Sequence, residues 1–175
     1  MIPSILNPSP NKNSRLTKAR VAALAVVALA CVFLNVARSA SLPQATDLQA
    51  LGKEAVARNV VIVLMVSATY CHYCERLKED FFGPMVKQGT HTDRVIIREW
   101  LLDDYGQFID FQGNACDAHE FASRYRATLT PTVLFLDQNG NELTERLVGV
   151  QSYEFYGAYL EAAIDAANAA LKTRS

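Results

Sequence analysis

The chain has 175 residues, and its 17 basic and 18 acidic side chains leave a net charge near zero. No basic stripe interleaved with aromatic residues follows the N-terminal segment, which argues against nucleic acid as a partner. The length is enough for one domain with one core beyond that segment, and it is too short for two.

The first 40 residues have the pattern of a targeting segment. Three basic side chains within residues 15–20 precede an uncharged stretch, residues 21–37, that is mostly Ala, Val and Leu. Its length fits both a cleaved signal peptide and a retained membrane anchor, although small residues favour cleavage after Ser39. Lipidation of Cys31 is a third alternative, which the apolar residues after it argue against. The basic flank predicts export to the periplasm or another extracytoplasmic space, with membrane contact only through this segment.

The next part of the chain alternates between helical and strand patterns. Apolar residues recur at helical spacing over residues 44–58, which predicts an amphipathic helix. The apolar run over residues 60–67 predicts a strand that is covered on both faces. A second helix is predicted over residues 76–87, where a Gly-Pro pair is expected to kink or end it. Residues 94–102 predict a second strand.

A Cys-x-x-Cys motif, Cys71-His72-Tyr73-Cys74, follows the first strand and opens the second helix. A helix start offers unpaired N–H groups and the positive end of the helix dipole, which both favour thiolate over thiol. Cys71 is therefore the candidate nucleophile, and Cys74 is close enough to resolve a mixed disulfide on it. A static disulfide and half of a metal site are the alternatives. Because a parallel crossover joins the two strands, the motif is expected at the edge formed by their C-terminal ends.

The rest of the chain completes the alternating order. The predicted elements are a polar loop over residues 103–115, a short helix over 116–127, a strand over 132–137, a tight turn over 138–141, an antiparallel strand over 143–150 and an Ala-rich helix over 152–171. The predicted order is α, β, α, β, α, β, β, α. We place all of it in a single domain, residues 41–175.

Three features together resemble the thioredoxin-like superfamily, over roughly residues 45–171. They are the Cys-x-x-Cys motif after a buried strand, Thr130-Pro131-Thr132 before a strand, and the Gln138-Asn139-Gly140 turn. The resemblance implies an α/β fold in which helices flank a central mixed sheet of about four strands.

Finer similarity is to bacterial exported proteins. Residues 67–71 and the long insertion before Cys116 are most similar to thioredoxin-related proteins of the SoxW type, and Tyr73 is similar to the active site of DsbC-like isomerases. By the same resemblance, Pro131 is expected to form a cis peptide bond and to pack against the cysteine pair. The backbone of Thr130 is expected to pair with the substrate peptide.

Two positions depart from cytosolic thioredoxins. That family has a tryptophan just before the first cysteine and a buried aspartate six residues before it, whereas this chain has Tyr70 and Met65. Deprotonation of Cys74 is therefore expected to rely on water, on His72 or on Glu75. A protonated His72 would also stabilise a thiolate. The residues expected to tune the reactivity of the pair are Tyr70, His72 and Tyr73.

Cys116 is a candidate third thiol. With His119 it repeats a two-residue ligand spacing, so Cys71, Cys74, Cys116 and His119 have the composition of a Cys3His zinc site. A regulatory disulfide, an intermolecular bridge and an unreactive free thiol are the alternatives, and the free thiol is favoured.

These patterns favour an exported thiol:disulfide oxidoreductase that needs no cofactor and acts on cysteine-containing protein substrates. The reducing direction is favoured by analogy, with a membrane or periplasmic redox partner that resets the pair. The alternative is a protein that delivers copper or zinc through the same cysteines, because thiolates suit Cu(I). The sequence has no Met-rich or His-rich tract, which counts against this alternative.

Overall fold

The computed structural model describes residues 41–174, so the predicted targeting segment and its cleavage site lie outside the described residues. The helices are α1 (Leu48–Arg58), α2 (His72–Leu77), α3 (Gly83–Gln88), α4 (Ala118–Tyr125) and α5 (Tyr156–Arg174). The strands are β1 (Val61–Ser67), β2 (Val95–Leu101), β3 (Gln107–Ile109), β4 (Ala115–Asp117), β5 (Thr132–Leu136) and β6 (Leu147–Val148). Within residues 41–174, the helices are all too short or too polar to cross a membrane.

The central sheet has four strands in the order β2-β1-β5-β6. Strand β1 pairs in parallel with β2, while β5 runs antiparallel to both β1 and β6. The predicted α/β fold around a mixed four-stranded sheet is therefore confirmed.

Helices cover both faces of this sheet and form two core layers. Alternate side chains of a strand point to opposite faces. Ile62, Leu64 and Val66 accordingly lie in the first core layer, which also contains the buried side chains of α1 and α4. Val61, Val63 and Met65 lie in the second core layer, with the buried side chains of α2 and α5. Every residue of β1 is buried, as the continuous apolar run predicts.

Helix α1 begins at Leu48, four residues later than predicted. Asp47 caps the helix, because its carboxylate accepts a hydrogen bond from the backbone N–H three residues on, at 2.8 Å. The residues before the cap are extended and lie along β2, where the N–H of Ala45 donates to the carbonyl oxygen of Glu99 at 2.8 Å. The predicted start was wrong because apolar spacing alone does not locate the cap.

The second predicted helix begins at His72, and the Gly-Pro pair does not end it. Helix α2 continues through a π-helical turn, Lys78–Phe82, into α3. The N–H of Gly83 bonds to the carbonyl oxygen of Lys78, five residues back. Because Pro84 has no N–H, this wider turn before it accommodates the missing hydrogen bond.

The predicted loop over residues 103–115 contains a β-hairpin instead. Strands β3 and β4 pair antiparallel and form a second, two-stranded sheet. The carboxylate of Asp110 stabilises the turn, since it accepts the N–H groups of Gln112 and Asn114, each at 2.9 Å. Cys116 lies in β4 and not at a helix start, because Asp117 caps α4 through the N–H of Glu120 at 2.8 Å.

The last third of the chain has a shorter strand and a later helix than predicted. The carboxylate of Asp137 accepts the N–H groups of Asn139 and Asn141, each at 2.9 Å, so the predicted turn is present. The strand predicted over residues 143–150 is regular only at β6. Directly after β6, Gly149 has a positive φ of 66°, and its N–H donates a hydrogen bond to the carbonyl oxygen of Pro131. The change of backbone conformation at Gly149 ends the strand.

Gly140 and Gly149 both have a positive φ, but only Gly140 is crowded by neighbouring side chains. Alanine variants at the two positions therefore separate the cost of backbone strain from the cost of a steric clash. A Cβ at Gly140 (φ 85°) would lie 2.4 Å from the Tyr125 hydroxyl and 2.5 Å from the Phe111 ring, whereas one at Gly149 would meet nothing within 4 Å. We expect Gly149→Ala to lower the free energy of unfolding by about 1 kcal/mol, from backbone strain alone. Gly140→Ala is expected to cost at least about twice as much. Urea unfolding of both variants measures this difference, and equal losses would contradict the packing described for the turn.

The buried carboxylate of Asp110 predicts a pH dependence of stability. The pKa of Asp110 lies below its ordinary value. The main cause is Arg124, whose Nη1 lies 2.9 Å from Oδ2 of Asp110, and the N–H groups of the turn add to this effect, whereas burial opposes it. The unfolded chain therefore binds more protons, so this stabilisation is complete above the ordinary pKa and is lost as the pH falls through the lowered one. We expect Asp110→Asn to narrow the stability difference between pH 6 and pH 3 in urea titrations. Arg124→Gln should narrow it partly, and an unchanged difference in both variants would contradict the assignment.

Candidate active site

The cysteine motif lies at the edge of the sheet where β1 and β2 both end. Leu102, just after β2, donates its N–H to the carbonyl oxygen of Ser67 at 2.8 Å, so the two strand ends stay side by side. The next residue, Asp103, binds the loop before the motif, because the N–H of Thr69 lies 3.1 and 3.0 Å from its two carboxylate oxygens. The predicted position of Cys71 at this edge is confirmed, and the loop that presents it is held by a charged hydrogen bond.

Cys71 and Cys74 form a disulfide with a Cα–Cα distance of 5.2 Å. Cys71 is the N-cap of α2, and its sulfur accepts the N–H of Cys74 at 3.2 Å. Cys71 is partly exposed whereas Cys74 is fully buried. An external thiol or disulfide therefore reaches the first sulfur and not the second, which is the asymmetry that a two-step exchange requires.

The side chains predicted to tune the pair lie around it on the surface. Tyr70 is 98% exposed and Tyr73 is 54% exposed, and His72 between the cysteines is also exposed. The rings of His72 and Tyr73 are 6.0 Å apart and tilted. Exposed aromatic side chains thus precede and follow Cys71 in the chain.

The Thr130-Pro131 segment reaches the same edge from strand β5. Thr132, the first residue of β5, pairs with Val66 near the end of β1. The Thr130–Pro131 peptide bond is cis, and Pro131 is buried. Leu129, one residue earlier, is 65% exposed. The structure therefore brings the cysteine pair and this segment together at one edge, with apolar surface beside both.

Cys116 does not join this site. It is buried in the first core layer, whereas Cys74 lies in the second, on the other side of the sheet. The β3–β4 hairpin directs the thiol of Cys116 into the first core layer, away from the cysteine pair. Burial, and next the charge of Glu120, raise the pKa of the Cys116 thiol. His119 is exposed, so the Cys3His set is not assembled, and residues 41–174 contain no cluster of three or more His, Cys, Asp or Glu arranged for a metal.

A buried ion pair in the second core layer escaped the sequence analysis. Lys78 Nζ lies 2.9 Å from Oε1 of Glu99, whose other oxygen accepts a hydrogen bond from Gln44 at 2.8 Å. Glu99 is 2% exposed and Lys78 is 8% exposed. Burial lowers the pKa of Lys78, but its hydrogen bonds to Glu75 and Glu99 outweigh this effect and raise it, so the ammonium stays charged. The available signal was a glutamate inside an apolar strand.

The fold and the pair together define the class of protein. A mixed sheet between two helical layers, with a Cys-x-x-Cys disulfide at the start of a helix, is the arrangement of a thioredoxin-like protein and supports a thiol oxidoreductase in general. A family model described as a thioredoxin-like domain matches residues 48–164, and the chain therefore belongs to this family.

Solved thioredoxin structures are similar to the chain at low sequence identity. Deadhead, a germline-specific thioredoxin of Drosophila melanogaster, is 17% identical with a TM-score of 0.47, over 69% of this chain and 98% of its own. Fasciola hepatica thioredoxin is 18% identical with a TM-score of 0.47, and the match covers 71% of this chain and 97% of that thioredoxin. Thioredoxin NaTrxh of Nicotiana alata is 21% identical with a TM-score of 0.40, and the match covers 69% of this chain and 95% of that thioredoxin. Comparison with curated protein sequences gives no significant match.

The burial of Cys116 predicts that its thiol is protected in the folded protein. A raised pKa leaves little thiolate at pH 8, and burial excludes the reagent. We expect iodoacetamide to leave Cys116 unmodified in the native oxidised chain and to modify it in denaturant, as read by peptide mass spectrometry. Similar rates in both conditions would show that Cys116 is accessible.

Proposed function

We propose that this chain is an exported thiol:disulfide oxidoreductase that reduces disulfides in protein substrates. The observation that carries the proposal is the unequal exposure of the two joined sulfurs, with Cys71 accessible and Cys74 fully buried. A static structural disulfide has no need of an accessible sulfur next to exposed aromatic side chains. The family supports the same chemistry.

The reaction has two exchange steps. The Cys71 thiolate attacks one sulfur of a substrate disulfide, which forms a mixed disulfide and releases the other substrate sulfur as a thiolate. The Cys74 thiolate then attacks Cys71, which forms the Cys71–Cys74 disulfide and releases the second substrate sulfur. Two electrons pass to the substrate, whose sulfurs take up protons, and a membrane or periplasmic electron donor returns two electrons to the pair.

The substrate-binding surface we propose is the apolar area around Cys71. Tyr70, Tyr73 and Leu129 are all exposed at this edge. The cis peptide bond before Pro131 lies at the same edge, where the backbone of Thr130 is proposed to pair with an extended substrate segment. Large exposed apolar side chains that cluster are typical of surfaces that contact other proteins.

Export and tethering remain part of the proposal. The basic flank and the apolar residues 21–37 support transport of residues 41–175 out of the cytoplasm, with cleavage after Ser39 or a retained anchor. An oxidising compartment fits the disulfide between Cys71 and Cys74.

Single cysteine variants test the order of the steps. We expect Cys71→Ser to abolish insulin-disulfide reduction, because the accessible nucleophile is lost. Cys74→Ser should instead accumulate mixed disulfides with substrates, which non-reducing electrophoresis and mass spectrometry detect. Cys116→Ala is the matched control and should retain the activity of the unsubstituted chain. Normal turnover by Cys71→Ser would refute the mechanism.

The reduction potential of the pair determines the direction of electron flow. We expect equilibration with glutathione or dithiothreitol to give a value near that of thioredoxin, about −270 mV, as a reductase requires. A value near −120 mV, typical of a strong oxidant, would refute the reducing direction while leaving the exchange chemistry in place.

A further inference from the structure

The hydroxyl of Ser67 is a buried polar group that has no hydrogen-bond partner within residues 41–174. Ser67 is the last residue of β1 and is fully buried. Buried hydroxyls are usually paired, because an unpaired one loses its hydrogen bonds to water and gains none in return. The group therefore needs an explanation, and it lies only four residues before Cys71.

Ser67 lies on the face of the sheet that the buried sulfur of the active site covers. Side chains of a strand alternate between faces, so Ser67 shares the face of Met65, which lies in the second core layer with Cys74. The antiparallel register of β1 with β5 places Pro131 beside Ser67. Helix α2 packs on this face, and its buried residues are Cys74 and Leu77. Cys74 is the nearer of the two to the edge where β1 ends, so its sulfur is the candidate partner of the hydroxyl.

Reduction of the pair changes what the sulfur of Cys74 can bind. A disulfide sulfur carries no proton and no charge, so it is a poor hydrogen-bond partner. A thiolate carries a full negative charge, and a hydrogen bond to a charged group is stronger than one between neutral groups. Burial disfavours an isolated charge, so a buried thiolate needs such a donor. The hydroxyl that is unpaired in the oxidised chain thus matches the sulfur that gains a charge after reduction.

Few ionisable groups face Cys74 from the elements packed against it. Lys78, directly after α2, and Glu99 on β2 form a buried ion pair and compensate each other. Helix α5 contributes Tyr156 as the one ionisable side chain among its buried residues. The other ionisable side chains near the pair are exposed or half-buried; they are Tyr70, His72, Tyr73, Glu75, Arg76 and Asp103. A variant at Ser67 alters none of these groups, so its effect on Cys74 is assignable to the hydroxyl.

We propose that the Ser67 hydroxyl donates a hydrogen bond to the Cys74 thiolate in the reduced chain and thereby sets the reactivity of the resolving cysteine. This inference rests on the proposed function. The Cys74 thiol loses its proton to water, and the thiolate accepts the hydrogen bond. It then attacks Cys71, the Cys71–Cys74 bond forms, and the bond from Cys71 to the substrate sulfur breaks, with its electron pair leaving on that sulfur. The hydroxyl is then unpaired again, as in the oxidised structure.

The ionisation of Cys74 is the first measurement. In the full chain, Cys31→Ser, Cys71→Ser and Cys116→Ala leave Cys74 as the only thiol, and ultraviolet absorbance reports its thiolate against a blank that also has Cys74→Ala. We expect Ser67→Ala to raise the pKa of Cys74 by about one unit, tenfold in the ionisation constant, as for loss of one hydrogen bond to a charged group. An unchanged titration would overturn the proposal.

The rate of the resolution step is the second measurement. The chain with Cys31→Ser and Cys116→Ala keeps Cys71 and Cys74 as its only thiols. One equivalent of dithiobis-nitrobenzoate per reduced chain releases a first coloured thiolate when Cys71 attacks and a second when Cys74 resolves. In Ser67→Ala the first release should stay within about twofold. The second should slow about threefold at pH 7, because the loss of thiolate is partly offset by its higher nucleophilicity.

The pH profile of the second release distinguishes a hydrogen bond to the thiolate from a distorted structure. The slowing in Ser67→Ala should shrink as the pH rises, and it should reverse once Cys74 is fully ionised in both chains. The reason is that a thiolate without the hydrogen bond is the stronger nucleophile. A slowing that stays constant from pH 6 to pH 10 would mark a structural defect and would overturn the proposal.

Two control variants locate the effect at the hydroxyl of Ser67. Tyr156→Phe removes the other unpaired buried hydroxyl of the described residues, which belongs to the same core layer, and should leave the titration of Cys74 and both releases unchanged. Ser67→Thr keeps a hydroxyl and should keep the titration of Cys74 close to that of the unsubstituted chain. A shift in Tyr156→Phe, or equal shifts in Ser67→Thr and Ser67→Ala, would contradict the assignment.

The stability of the oxidised chain completes the test. Because Ser67→Ala removes no hydrogen bond from the oxidised form, its urea midpoint should be unchanged or higher. A lower midpoint would show that the hydroxyl has a partner in that form and would overturn the proposal. Loss of the first release in the chain that retains Ser67 would instead refute the proposed function.

Discussion

The pairing of β1 between β2 and β5 is the constraint on which the rest of the structure depends. Because β1 is buried over its whole length, its register with both neighbours is fixed by core packing. A shift of one residue would exchange the side chains of the two core layers. The register therefore determines which residues meet at the C-terminal edge, and it brings there the cysteine pair from β1 and the Thr130-Pro131 segment from β5.

Aspartate carboxylates stabilise the loops, turns and helix starts that connect the strands of the sheet. Six such residues in the described part of the chain each accept one or more backbone N–H groups at a helix start, a loop or a turn; they are Asp47, Asp103, Asp104, Asp110, Asp117 and Asp137. Groups of this kind satisfy backbone donors that no strand or helix partner reaches. At the active site the carboxylate of Asp103 has this role, since it holds the loop that ends at Cys71 from the neighbouring strand. The position of the accessible sulfur therefore depends on a residue more than thirty positions away in the chain.

Much of the fold and of the reactive pair was predictable because local patterns determine them. The continuous apolar run of β1 predicts burial on both faces, and the Cys-x-x-Cys motif after it predicts the pair at the sheet edge. The helix starts were predictable only approximately, since Asp47 and Asp117 act through cap geometry that apolar spacing does not show. The three-residue strands of the β3–β4 hairpin carry too little pattern for detection, and they are stabilised by tertiary contacts such as the bridge between Asp47 and Ile109.

The inward position of Cys116 was missed for the same reason. Its spacing to His119 suggested a ligand pair as one alternative to the favoured free thiol, and β4 buries the thiol while the histidine stays on the surface. Here β4 ends and α4 begins between Cys116 and His119, and the two side chains face the core and the surface respectively.

The buried ion pair is related to one departure from the pattern of cytosolic thioredoxins, the methionine at position 65. Met65 replaces the aspartate that cytosolic thioredoxins have at this position, and its register partner Glu99 supplies a carboxylate from the next strand. A carboxylate buried there requires a compensating charge, and Lys78 occupies a position on the helix face that is otherwise apolar. An aspartate at position 65 in addition would place two carboxylates side by side against one buried ammonium, which like-charge repulsion disfavours. Lys78 and Glu99 thus form one charge-compensated pair, and an apolar side chain at position 65 leaves that balance intact.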